Sequence, residues 1–112
     1  MKPGLAKRLR IYLGESDHYQ GQPLYHWIVK KARELGLAGA TVYRGIEGFG
    51  ATSRIHSARL LALSSDLPIL VEIVDTEPYI EKILPFLQEC LSGSLLTIED
   101  VEVLKYKEGA SK

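Results

Sequence analysis

Four short segments with strand patterning and two with apolar residues at helical spacing predict an α+β fold. They follow one another as β-α-β-β-α-β. Composition agrees: 112 residues, 46% hydrophobic and 25% charged, are ordinary for one globular domain.

In residues 7–15, KRLRIYLGE, Leu9, Ile11 and Leu13 alternate with Arg8, Arg10 and Tyr12. That is a half-buried strand. Residues 16–22 are polar and read as a loop. Pro23 opens a helix that Gly36 closes, with Leu24, Ile28, Ala32 and Leu35 as its buried stripe. Residues 39–47 are a second strand, in which Thr41, Val42 and Tyr43 are β-branched or aromatic. Residues 51–66 carry Ile55, Ala58 and Leu61 diluted by Ser, Thr and Arg. They read as a long mobile loop with some local helix.

ILVEIV, residues 69–74, is the third strand. Asp75 or Thr76 can cap the next helix, with Pro78 in its first turn. Ile80, Ile83, Leu84, Leu87 and Leu91 share one face, and Pro85 should kink the helix. Ser92-Gly93-Ser94 ends it, and residues 95–106 form the last strand, with Ile98, Val101, Val103 and Tyr106 apolar. The tail EGASK frays. No linker or repeat divides the chain, so residues 1–112 read as one domain. The order of elements is the ferredoxin-like arrangement, an antiparallel sheet with both helices on one face. The other face is left uncovered, with Arg8, Arg10, Tyr12, Leu70 and Val74 pointing there. A half-apolar open face implies a partner, often a second copy of the chain.

Fourteen basic residues balance fourteen acidic ones, so there is no electrostatic footprint for a nucleic-acid duplex or an anionic membrane. The basic N-terminus MKPGLAKRLR is followed by no apolar run and is not a signal peptide. No segment approaches the roughly 20 apolar residues that span a bilayer. The single Cys90 cannot form an internal disulfide, and a cytoplasmic location is expected. Cys90 falls on the buried stripe of the second helix, where packing explains it better than nucleophilic chemistry. His18, His26 and His56 lack metal-ligand spacing and read as surface residues. No Ser/His/Asp constellation or defensible carboxylate pair points to catalysis; Glu99, Asp100 and Glu102 read as solvated or edge-protecting charges.

The unusual stretch is GATVYRGIEGFG, residues 39–50, with four glycines in twelve residues. Glycine weakens a strand and marks a bulge or a close approach to the backbone. Gly45-Ile-Glu-Gly48-Phe-Gly50 is neither the dinucleotide fingerprint nor a P-loop. Its amides could meet a phosphate or a base edge. Equally, a bulge could bend the strand into the long loop. Lys105 and Lys107 alternate on the last strand and suit an anion, or simply form a charged strand end. IYLGES, residues 11–16, and EGFGATSRI, residues 47–55, imitate the two signatures of an RNA-recognition motif. The second has Ala51 and Ser53 where stacking residues would stand, which leaves RNA binding a minor alternative.

With these glycines at the end of the second strand, the chain resembles the PII-like signalling proteins, and most of all their branch of unknown function. Gly39-Ala40-Thr41-Val42 matches the G-x-T-V of the second strand, and Gly48-Phe49-Gly50 the G-F-G that opens the long T loop. LPILVEIVD, residues 67–75, and IEDVEVLKYKEG, residues 98–109, are similar to the third and closing strands.

The resemblance implies a homotrimer whose sheets line a central barrel. It implies ATP, ADP or AMP in clefts between subunits, with no required cofactor. A T loop, here residues 51–66, would signal to an unidentified target protein, soluble or membrane-bound. Thr41, Arg44, Gly45, Gly48, Phe49, Gly50 and Gly93 would line the cleft, and Lys105 and Lys107 would meet phosphates from a neighbouring subunit. The chain departs from the pattern in several places, among them the lack of the tyrosine that some members modify in the T loop. One extra residue lies near Arg44-Gly45, the phosphate loop shrinks to Ser92-Gly93-Ser94, and Pro68 or Ile69 replaces the lysine that usually opens the third strand. The expected role is a binding module and not an enzyme, with no metal site, no nucleic-acid partner and no membrane insertion. A CutA-like structural trimer shares the fold and remains open. An acylphosphatase would need a basic residue after the first strand, and ESDHYQGQP has none.

Overall fold

The computed structural model describes residues 1–50, 56–57 and 66–106. In chain order it contains β1 (Gly4–Gly14), β2 (His18–Tyr19), β3 (Gln22–Pro23), α1 (Leu24–Glu34), β4 (Thr41–Arg44), β5 (Glu47–Gly48), β6 (His56–Ser57), β7 (Pro68–Asp75), α2 (Glu77–Cys90) and β8 (Leu95–Val103). The main sheet runs β4-β7-β1-β8, and every neighbouring pair is antiparallel. This is the ferredoxin-like sheet, with β1 inside and β4 and β8 at the edges.

Alternation along β1 and β7 sends one set of side chains to the helices. Leu9, Ile11 and Leu13 stand opposite Ile73, Val71 and Ile69. Together with Leu24, Ile28 and Ala32 of α1 and Ile80, Ile83, Leu87 and Cys90 of α2 they form the core. The other set carries Arg8 opposite Val74 and Tyr12 opposite Leu70, on the face away from this core. Charges bridge three strands there. Arg8 Nη2 lies 2.6 Å from Glu99, and Arg10 reaches Glu72 at 3.2 Å and Glu99 at 3.4 Å. Burial raises the Cys90 thiol pKa, as suits a packing role.

Turns follow from local chemistry. Gln20 and Gly21 adopt positive φ, 50° and 78°, between β2 and β3, as a two-residue hairpin of type I′ requires. Gly36, at φ 81°, ends α1: its N–H donates to Arg33 and that of Leu37 to Ala32, 3.1 and 3.0 Å. This is a Schellman cap. The buried Asp75 at the end of β7 accepts from the N–H of Ala38 at 2.8 Å and of Thr76 at 2.7 Å. Thr76 is the N-cap of α2, without a side-chain cap bond. Asp75 therefore uses its carboxylate to tie the end of the α1–β4 connection to the sheet. α2 is helical from Glu77 to Cys90, through Pro85.

The second strand differs from the expected run over 39–47. It divides into β4 and β5, because the chain leaves β7 after the Gly45 N–H has bonded to the Pro68 carbonyl at 2.7 Å. The segment expected as a loop with local helix contains β6, which pairs with β5, Gly48 opposite His56 and Glu47 opposite Ser57. Its other expected features, and Lys107, lie outside the described residues. The last strand stops at Val103, not 106. No helix among the described residues is long and apolar enough to cross a membrane.

Leu87→Ala is expected to lower stability by about 3 kcal/mol, since it empties a fully buried position. Glu89→Ala, exposed on the same helix, should change it by less than about 0.5 kcal/mol. Urea unfolding followed by circular dichroism compares the two.

Candidate functional site

The glycine-rich segment turns around Pro68, the first residue of β7. A Cβ placed on Gly48 would lie 2.9 Å from Pro68 Cγ, and one on Gly45 would lie 3.1 Å from it. Real side chains do not tolerate the first distance. Within one chain, what approaches these glycines is therefore a proline ring. Gly48, Phe49 and Gly50 border a hollow of only about 30 Å³, shared with Leu13, Gly14, Asp66, Leu67 and Pro68. That is the scale of a single water. Phe49 projects beyond β5 and is 71% exposed.

Three segments are fastened together at this end of the sheet. Arg44, the last residue of β4, grips Glu15 with a hydrogen bond from Nη2 to Oε1 and an ion-pair contact between Nε and Oε2, each 3.0 Å. Glu15 Oε1 also accepts the Leu67 N–H at 3.4 Å, and the Glu15 N–H donates to the Leu67 carbonyl at 2.8 Å. Asp66 Oδ1 accepts the Ser16 N–H at 3.0 Å, and Asp17 Oδ2 the Gly14 N–H at 2.9 Å. Glu15 thus touches both limbs that flank residues 51–65.

The opposite end of β4 borders larger hollows. One, of about 330 Å³, lies between Ala38, Gly39, Ala40 and Thr41 on one side and Glu72, Val74, Met1 and Tyr106 on the other. It reaches the lower size range of small-molecule sites. Its lining pairs apolar surface with a hydroxyl, a phenol, a carboxylate and strand-edge backbone. The hydrogen bond that the Arg10 guanidinium donates to Glu72 raises the arginine's pKa above its usual value. A hollow of about 410 Å³ adjoins it on the α1 side, against Val29, Ala32, Arg33 and Leu37.

The expected site residues thus fall into separate groups. Thr41 lies in the 330 Å³ hollow, whereas Arg44, Gly45, Gly48, Phe49 and Gly50 lie at the far end of β4. Thr41 and Gly45 are four residues apart, about 13 Å along a strand. Gly93, at φ 68°, makes the turn before β8 on the other edge of the sheet. Beside it, Ser94 Oγ is buried without a hydrogen-bond partner among the described residues. Lys105 is exposed just beyond β8 and forms no ion pair among the described residues. Sequence reasoning missed Glu15 and the lining contributed by Ala38, Gly39, Ala40, Glu72, Val74 and Tyr106. The G-x-T-V match around Thr41 already pointed to that lining.

The family model described as DUF190, Uncharacterized ACR, matches residues 6–103. The chain belongs to the DUF190 family. A UPF0166 protein from Aquifex aeolicus is 45% identical over 100 residues, covering 88% of this chain and 92% of the relative. Another from Methanocaldococcus jannaschii is 40% identical over 101 residues, covering 89% and 93%. Among solved structures, one assigned to PII-like signaling from Thermus thermophilus superposes with a TM-score of 0.66 at 22% identity, covering 93% of this chain and 94% of that one. CPII from Thiomonas intermedia, a nitrogen regulatory PII-like protein bound to ADP, AMP and bicarbonate, gives 0.61 at 18%, covering 93% and 92%. At these identities the likeness establishes a shared PII-like fold.

Gly48→Ala should destabilise the protein by about 1–2 kcal/mol, because the added methyl meets a rigid ring and the φ of 159° suits a side chain poorly. Pro68→Ala in the same chain should recover the part of that loss that the ring causes, leaving the part due to the backbone at φ 159°. Additive losses in a double-mutant cycle by thermal unfolding would show that the ring is not the obstacle.

Proposed function

We propose that this chain is a nucleotide-responsive regulatory protein. It binds ADP, ATP or AMP in clefts between the subunits of a homotrimer and signals to a target protein through residues 51–66. The observation that carries this reading is the division of the expected ligand residues between the two free edges of the sheet. Thr41, Arg44, Gly45, Gly48, Phe49 and Gly50 attend β4, whereas Gly93 attends β8; Lys105, beyond β8, adjoins Tyr106, which lines the Thr41 hollow of the same chain. Three strand spacings, about 15 Å, separate those edges in one chain. A second copy that brings its β8 edge to β4 unites the two sets.

The PII-like fold and the nucleotides bound to CPII support the same reading. In this cleft the base occupies the hollow of Thr41, Val74 and Tyr106, where Glu72 offers an acceptor for an exocyclic amine. Lys105 of the neighbouring copy meets phosphate as a charge-assisted donor. Ligand contact along β4 selects among arrangements of the limbs at Gly50 and Asp66, a population shift. No catalysis is assigned, and the protein acts in the cytoplasm. Nothing favours the RNA-binding reading. The open sheet face carries an Arg–Glu ladder, and Phe49 stands off the sheet.

Sedimentation should give a trimer, and calorimetry one ADP per chain. Lys105→Ala should weaken ADP about tenfold with the trimer intact, the loss of one charged hydrogen bond. Deleting residues 52–60 should spare the trimer and ADP affinity and abolish target binding. A monomer that binds ADP with full affinity would overturn the intersubunit cleft.

A further inference from the structure

Arg44 ends β4 at the foot of the limb that leads to Gly50, and its guanidinium is already taken. Glu15 holds it through a hydrogen bond from Nη2 to Oε1 and an ion-pair contact between Nε and Oε2, each 3.0 Å. This is the fork geometry with which arginine grips a phosphate. The pair faces solvent, the Arg44 side chain being 46% exposed and that of Glu15 23%, so a ligand can reach it. The surroundings are acidic: Asp66 and Asp17 hold neighbouring backbone amides through their carboxylates. A phosphate approaching Gly45 would meet those charges and find Arg44 neutralised.

We propose that Glu15 is an internal competitor for Arg44, a carboxylate standing where a phosphate-bearing ligand would bind and lowering the affinity of that site. This rests on the reading of Arg44 as a ligand residue of the cleft. Because Glu15 also accepts the Leu67 N–H, a ligand that captures Arg44 removes a restraint shared by β4 and the start of β7. Occupancy and the fastening of the two limbs are then one equilibrium. A ligand gains affinity only by as much as it prefers the released arrangement. An ion pair this exposed contributes little, so the competition is worth at most about fivefold in affinity.

The test titrates ADP, inorganic pyrophosphate and uncharged adenosine into wild type, Glu15→Gln, Arg44→Gln and the double variant. Oligomeric state and circular dichroism are checked for each. Glu15→Gln keeps an acceptor for Arg44 and for Leu67 but removes the charge. It should tighten ADP and pyrophosphate about three- to fivefold and leave adenosine unchanged. In the Arg44→Gln background the same substitution should change nothing. Unchanged or weaker pyrophosphate binding by a folded Glu15→Gln protein overturns the proposal. So does a gain that persists without Arg44, which would be general electrostatics, and so does an absence of pyrophosphate binding in every variant. ADP binding that ignores both residues would overturn this proposal and leave the nucleotide reading standing. Loss of ADP binding in wild type alone, with the pyrophosphate cycle as expected, would do the reverse.

Discussion

β1 is hydrogen-bonded on both sides, to β7 and to β8, and no other strand of the four is so long. Its register sets the molecule. With Leu9 and Ile11 fixed against Ile73 and Val71, both helices are held on one face and the charged residues on the other. A slip of one residue would send every side chain to the wrong face. The same pairing makes β4 and β8 edges. A four-stranded open sheet has two edges to satisfy, and those edges carry the residues to which a ligand is assigned.

Edge position also explains the exposure of β4. All four of its residues are exposed, although Val42 and Tyr43 have the side chains of a buried strand. Leu95 and Ile98 of β8 are likewise about half exposed. Apolar side chains at two edges and charged pairs on the open face suit the second copy proposed to complete the site.

Much of the architecture was legible because periodicity reports burial directly. Leu9, Ile11 and Leu13, and then Ile80, Ile83 and Leu87, marked the buried faces of β1 and α2, and Gly36 marked a helix end. The two-residue strands β2, β3, β5 and β6 were not legible, since two residues hold no period. At the glycines the sequence showed that something comes close to the backbone, but not that Pro68 does. That contact joins residues twenty apart in sequence and depends on β4 pairing with β7. Glu15 was invisible for the same reason: its partner Arg44 is reached across the intervening strand β7. Asp75 looked like a helix cap and instead ties down the α1–β4 connection, a choice that only the packed arrangement decides.

Each proposed binding site needs two copies of the chain, and mixed oligomers test this directly. A chain damaged at the β4 edge, Thr41→Arg, is co-assembled with one damaged beyond β8, Lys105→Glu, and ADP binding is measured by calorimetry. Neither chain alone should bind. If sites form between subunits, a random equal mixture should regain about a quarter of them, where an intact β4 edge meets an intact β8 edge. If each site lies within one chain, every chain in the mixture is damaged, and the mixture would bind no better than its parts.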